Sequence, residues 1–319
     1  MKVTFWGTRG SIPAVLSAAA VRDKIAIALI RAAGRDLGSS EAARAFVERE
    51  LSFPEGATYG GNSSCVQVET AGPDYLICDM GSGARELAVQ ALARHGPGAP
   101  QTYHVLMSHL HWDHIMGFPF FTPVYIPGNR IRIYGCHREL EQAYRAQHCA
   151  PSFPIDFAAL RASIEFVVLE PDRPTEIAGF RVTPTLQNHG GDSYGYRLER
   201  DGKAVVYTTD SEHKLDGRGE IERVVAFFRD ADLVVFDAMY SLADTMSVKE
   251  DWGHSSNVVG LELCQLARAR HLVLFHHEPV FDDHQIHQIF QETVRLEEIT
   301  RRDHPVRISA AYDGLVIDV

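Results

Sequence analysis

Five apolar runs in this chain stop on a histidine or an aspartate. "HVLMSH" ends at His109, "RVTPTLQNH" at His189, "AVVYTTD" at Asp210, "DLVVFD" at Asp237 and "LVLFHH" at His276-His277. Short apolar runs bounded by Gly, Pro, Asn and Asp read as strands. The ends of strands in a layered α/β sheet are where loops on a rigid scaffold assemble sites. Five strand ends carrying ligating or proton-transferring side chains therefore call for a fold that gathers them. Further runs such as "CVQVET", "RIRIYG" and "IEFVVLE", some alternating and some wholly apolar, interleave with helical patterns at 84–95, 137–148, 257–269 and 284–300. The series predicts sheet packed on sheet with helices outside, a layered α/β domain.

The first strand, "KVTFWG", turns at "GTRGSIP", and residues 17–52 then read as helical. Val21, Ile25 and Leu29 recur at four-residue spacing, and "SSEAARAFVERELSF" supplies a Ser cap and an acidic first turn. Lying between strand-like pieces, this pair reads as an insertion in a single domain over 1–319. A packed surface helix pair is the plain reading; a lid or a homodimer contact is the functional one.

A net charge of −11 provides no overall basic field for long nucleic acid or an anionic membrane, yet leaves a nucleotide-sized substrate open. No run approaches the ~18–20 apolar residues of a membrane span. The five cysteines are scattered without a CxxC pair, which reads as reduced thiols and a cytoplasmic protein.

The densest strand end is "SHLHWDH", residues 108–114. In an extended segment His109, His111 and Asp113 share one face, while His114 turns to a second point. Two imidazoles at one centre, and a carboxylate with an imidazole at another, suit two divalent metals. The donor set favours zinc, with manganese or iron compatible, and contains no thiolate. His189 then completes the first centre, a histidine from 276–277 the second, and Asp210 can bridge both with its two oxygens. One position per metal stays open for water, as catalysis requires. Alternation from Leu272 and Leu274 puts His276 on their face but does not choose between His276 and His277.

These segments resemble a known family. "SHLHWDH" matches the H-x-H-x-D-H signature of the metallo-β-lactamase superfamily. "FWGTRGSIP", "YGGNSSCVQV", "CDMGSG", "NHGGDSYGYRLE", "TTDSE", "WGHSS" and "LFHHEP" are similar, in order, to its phosphodiesterase-like branch, which includes ribonuclease Z. The resemblance implies a four-layer αββα sandwich. It implies His109, His111 and His189 on one metal, Asp113, His114 and His276 on the other, and Asp210 bridging where β-lactamase members place a cysteine. "WGHSS" resembles the His-Ser-Thr element of ribonuclease Z, and "DAMY" stands where that enzyme has Glu-Ala-Thr. This implies His254 as general acid oriented by Asp237, one methylene shorter than Glu, with Asp113 also counted in the catalytic set. The tRNA-gripping arm of ribonuclease Z has no counterpart, and no Lys/Gly-rich stretch could supply one.

The expected function is a binuclear metal-dependent phosphodiesterase on a small cyclic or nucleotide-like diester. A thioester, lactone or β-lactam hydrolase on the same metals, or a non-hydrolytic metal-binding or redox protein, are the alternatives.

Overall fold

Alternation along strands buried on both faces sorts the side chains into layers. A computed structural model describes residues 1–213, 218–240 and 253–319, and among these the strands form two seven-stranded sheets. The first runs β14 (Val316–Asp318), β1 (Lys2–Gly7), β2 (Cys65–Glu69), β3 (Tyr75–Cys78), β4 (Thr102–Leu106), β5 (Arg130–Gly135) and β6 (Ser163–Val168). It is antiparallel as far as β3 and parallel from there to β6. The second runs β13 (Arg307–Ala310), β12 (His271–Phe275), β11 (Leu233–Asp237), β10 (Lys203–Thr208), β9 (Ser193–Arg200), β8 (Phe180–Gln187) and β7 (Thr175–Ile177). Its strands are parallel from β13 to β10 and antiparallel beyond.

Leu76 and Cys78 of β3 meet Val235 of β11 and Val273 and Phe275 of β12 in a core between the sheets. Their neighbours Tyr75 and Ile77 face the other way, onto α4 (Ala84–His95) and α6 (Leu140–Gln147). Val234, Phe236, Leu272 and Leu274 likewise turn outward, onto α7 (Arg218–Phe228), α8 (Asn257–Ala267) and α9 (Asp283–Thr300). The period of two thus gives four layers, helix–sheet–sheet–helix, the αββα sandwich expected from the sequence. Gly260 lets α8 sit close on β11, because a Cβ there would press on the Phe236 ring at 2.6 Å.

Between β1 and β2 lie α1 (Ala18–Arg31), α2 (Ser40–Glu50) and a four-residue α3 (Phe53–Gly56). Ser17 and Ser39 cap the first two by accepting from the amides of Ala20 and Ala42. The helical segment runs past residue 52, since the Ser52/Glu55 capping box starts α3. One further difference bears on the site. The chain after His111 coils into α5 (Trp112–Ile115) instead of staying extended, so Asp113 does not share a face with His109 and His111.

Candidate metal centre

The fold delivers the seven expected ligands to one edge of the sandwich. His109 follows β4, His189 follows β8, Asp210 follows β10 and His276 follows β12, while α5 carries Asp113 and His114. Asp210 and His276 hold φ of +46° and +60°, a left-handed step directly beyond the strand. Such a backbone disfavours side chains bearing a Cβ by about 1 kcal/mol and is commonest at functional sites. It also explains why alternation alone did not separate His276 from His277. His276 Nε2 lies 3.2 Å from Asp210 Oδ2, whereas the Nε2 of buried His277 pairs with the Ala311 carbonyl at 2.8 Å.

Two donor groups result. His109, His111 and His189 converge in one, with His189 Nε2 and His111 Nδ1 3.3 Å apart. Asp113, His114, Asp210 and His276 converge in the other. Asp210 faces both: its Oδ1 is 3.6 Å from His109 Nε2 and 3.8 Å from His189 Nε2, and its Oδ2 is 3.2 Å from His114 Nε2. Asp113 Oδ2 lies 3.1 Å from His114 Nε2 and 3.5 Å from His276 Nε2. A tetrahedral zinc with bonds near 2.0–2.1 Å spaces its ligand atoms by about 3.3 Å, so these separations suit a cation. His109 Nε2, Asp113 Oδ2, His114 Nε2 and His276 Nε2 are buried without a hydrogen-bond partner. Buried polar atoms left unsatisfied are costly unless a group such as an ion completes them, so the residues fit the metals.

The electrostatics agree. Burial pulls the His114 imidazole down, but the Asp113, Asp210 and Asp79 carboxylates outweigh it and raise it well above its usual value. Burial pushes Asp210 up, yet His276, His114 and His109 hold it well below the usual carboxylate range. Burial, reinforced by the neighbouring His114, lowers His109 far below the normal imidazole range. A site that draws a proton to His114 this strongly offers the same field to a metal cation.

A surrounding shell fixes the ligand rings. Asp79, at φ +61° beyond β3, pairs with His114 Nδ1 at 2.8 Å and accepts from the Ser108 amide at 2.8 Å, Ser108 Oγ at 2.7 Å and the Tyr207 hydroxyl at 2.7 Å. His189 Nδ1 lies 2.8 Å from the Gly253 carbonyl. These partners hold the Nδ1 proton and turn Nε2 toward the cluster. Ser63, in the "GGNSS" turn, donates to the Asp113 carbonyl at 2.7 Å. Buried Arg9 ties the 276–281 segment down through the Glu278 and Phe281 carbonyls at 3.1 and 2.8 Å. Tyr207 and Arg9 carry no local sequence signal for these roles, because their partners lie far away in the chain.

His254 stands beside the cluster, its ring centroid 5.1 Å from that of His189 and 5.2 Å from that of His276. Its Nδ1 meets Asp237 Oδ2 at 2.8 Å, so the shorter aspartate does reach. The same Asp237 oxygen accepts from the Ser211 amide at 3.1 Å. Burial lowers His254, but Asp237 prevails and raises it to about 9. Of the two serines that follow, Ser256 caps α8, whereas Ser255 Oγ donates to the Ser211 carbonyl at 2.6 Å. Trp252, the first residue of "WGHSS", lies outside the described residues.

Two cavities adjoin these elements. One of about 640 Å³ is polar and includes Asn188, His189, Asp192, Glu220 and Arg223 in its wall. The other, about 420 Å³, is lined by Trp112, Met116, Phe120 and Phe153. Trp112 and Phe120 are exposed there, whereas Phe118, Pro119 and Phe121 are buried. No described helix is long and apolar enough to cross a membrane.

A family model described as a beta-lactamase superfamily domain matches residues 71–277. A protein named ribonuclease Z from Haloarcula marismortui is 26% identical over 263 residues, covering 67% of this chain and 80% of that protein. The metallo-beta-lactamase fold protein YhfI from Bacillus subtilis superposes with a TM-score of 0.65 at 18% identity, over 99% of this chain and 98% of that one. A diphosphatase from the PhnP family superposes with a TM-score of 0.61 at 18% identity, over 100% and 97%. With more than half of its length matched by the family model, on the αββα fold described above, the chain belongs to the β-lactamase superfamily.

Proposed function

We propose that the protein is a metal-dependent hydrolase of phosphodiesters, acting with two divalent cations on a small cyclic or nucleotide-like diester. The observation that carries the reading is the His254–Asp237 pair, 2.8 Å apart, standing beside a buried cluster whose ligand atoms lack partners. His109, His111 and His189 would hold one cation, Asp113, His114 and His276 the other, and Asp210 both. The donor set favours zinc, with manganese or iron as alternatives. When bound, such cations offset charge on phosphoryl oxygens and acidify water toward neutral pH.

The chain's own residues supply the rest. Asp79 and the Gly253 carbonyl keep His114 and His189 in the ligating tautomer. Asp237 orients His254 and keeps it charged, so that its remaining N–H can be handed to a leaving alkoxide. Helix α8 begins just after His254, and a helix N-terminus favours a phosphate oxygen. Asp210 in place of a cysteine supports a diester over a β-lactam.

The relative named ribonuclease Z keeps an RNA diester among the candidate substrates. The net charge of −11 and the cavity of about 640 Å³ beside His189 support a nucleotide-sized one. The test is a substrate panel with zinc- or manganese-loaded protein: bis(p-nitrophenyl) phosphate, cyclic nucleotides, precursor tRNA, a lactone, a thioester and a β-lactam. Chelator-sensitive turnover of the small diesters is expected. Turnover of the lactone, thioester or β-lactam alone would overturn the reaction class, and turnover of tRNA alone the substrate size.

A further inference from the structure

The two donor groups are not held equally well. Asp113, His114 and His276 are buried, whereas His111 is exposed, and so are Asn188, Gly190, Gly191 and Asp192 around His189. His189 opens a turn that the Asp192 amide closes by donating to the His189 carbonyl at 3.2 Å. Gly190 and Gly191 fill this turn, with Gly191 at φ +83° and Asp192 at φ +58°. Paired glycines leave a free turn many conformations to choose among. The turn also lies against His111, because a Cβ on Gly191 would sit 3.6 Å from His111 Nε2. Its conformation therefore bears on two of the three histidines of the first centre.

A side chain from the other sheet pins the turn. His137, just beyond β5, directs its Nε2 at the Asp192 carbonyl, 2.9 Å away, and at the Gly191 carbonyl, 3.2 Å away. Both partners only accept, so Nε2 carries the proton and donates to the pair. Its Nδ1 is buried without a hydrogen-bond partner among the described residues, so Nε2 is where the ring makes its polar contacts. The ring stands edge-on to Tyr194, with centroids 5.1 Å apart, and the Tyr194 amide donates to the Ser108 carbonyl at 2.9 Å, next to His109. The His137 carbonyl accepts from the Leu140 amide at 3.3 Å, where α6 begins. The anchor is thus fixed by packing and backbone, while the glycine turn it holds is not.

We propose that His137 is a positioning residue for the first metal centre. By holding the Gly191 and Asp192 carbonyls it keeps His189 aimed at the cluster and Gly191 seated against His111. The proposal rests on the reading of the cluster as two cation sites. Asp113, His114 and His276 are fixed instead by α5, the left-handed step beyond β12 and the Asp79 contact. Loss of the clamp should therefore loosen the first cation and spare the second.

Zinc titration calorimetry on the full chain tests this without reference to turnover, with anomalous diffraction at limiting zinc showing which site empties. His137→Phe keeps a ring against Tyr194 but has no donor. It should weaken the first cation by ~10-fold or more, the usual cost of removing a ligand's supporting contact, and leave the second unchanged. His137→Gln restores an N–H of similar reach and should recover most of the loss. His137→Ala, which adds no bulk, covers the case in which the phenyl ring misfolds the loop. If both cations weaken equally, if neither weakens, or if His137→Gln binds as poorly as His137→Phe, the clamp does not act as proposed. A wild type that takes up only one cation would overturn the two-cation reading and this proposal with it. A wild type that takes up two, with all three variants matching it, would overturn this proposal alone.

Discussion

As the proposed general acid, His254 would protonate the leaving group. An alkoxide needs a proton and p-nitrophenolate hardly does, so His254→Ala should slow hydrolysis of an alkyl diester by about 100-fold or more. The loss on bis(p-nitrophenyl) phosphate should be much smaller, with metal content by mass spectrometry unchanged. Equal losses of metal and of both activities would assign His254 to the metal site instead. The direction of the pH dependence follows from the charge state. Burial works against the imidazolium and Asp237 for it, and the balance holds the group near 9. A general acid acts in its protonated form, so alkyl-diester turnover should hold below that value and fall as pH rises through it. Asp237→Asn removes the stabilising carboxylate and should move the falling limb down by one unit or more in a profile of kcat/KM against pH. A limb that stays in place would show that Asp237 does not set the acidity.

At the scale of elements, the loops beyond the strands do the positioning, and their geometry was only partly legible. The apolar runs and their terminal His or Asp stood out because burial on both faces leaves a long hydrophobic signature. The side to which Asp113 points did not, because α5 has four residues and too short a period to register. The support of His114 by Asp79 and Tyr207 joins residues 128 apart in the chain, which local pattern cannot show. The choice of His276 over His277 rests on a positive φ that breaks strand alternation. Gly253 is another such device: at φ +81° it leaves room for His189, whose Nδ1 would sit 2.5 Å from an added Cβ. Gly253→Ala should therefore displace the ring and weaken metal binding by about 10–100-fold, the usual range for losing a ligand's supporting contact. Chelator competition would measure this; unchanged affinity would mean that the loop adapts freely.

For the whole molecule, the layers were legible because alternation divides each strand between an inner and an outer core. The helical segment between β1 and β2 was legible as helix but not in purpose, since exposure of an apolar face is a property of the folded surface. The His/Asp donor cluster joins elements of both sheets, so cations bound there should hold the sandwich together as well as support chemistry. Binding to the folded state alone stabilises by ~4 kcal/mol at a thousandfold excess over Kd. Removing the metals with a chelator should thus lower the melting temperature by several degrees. An unchanged melting curve would mean that the site is not loaded under those conditions.

The central claim is that seven side chains grip two cations. Anomalous diffraction at the zinc edge, from crystals of protein loaded with zinc, tests it most directly. Two peaks are expected: one among His109, His111 and His189, the other among Asp113, His114 and His276, with Asp210 reaching both. A single peak, or peaks away from these residues, would contradict it.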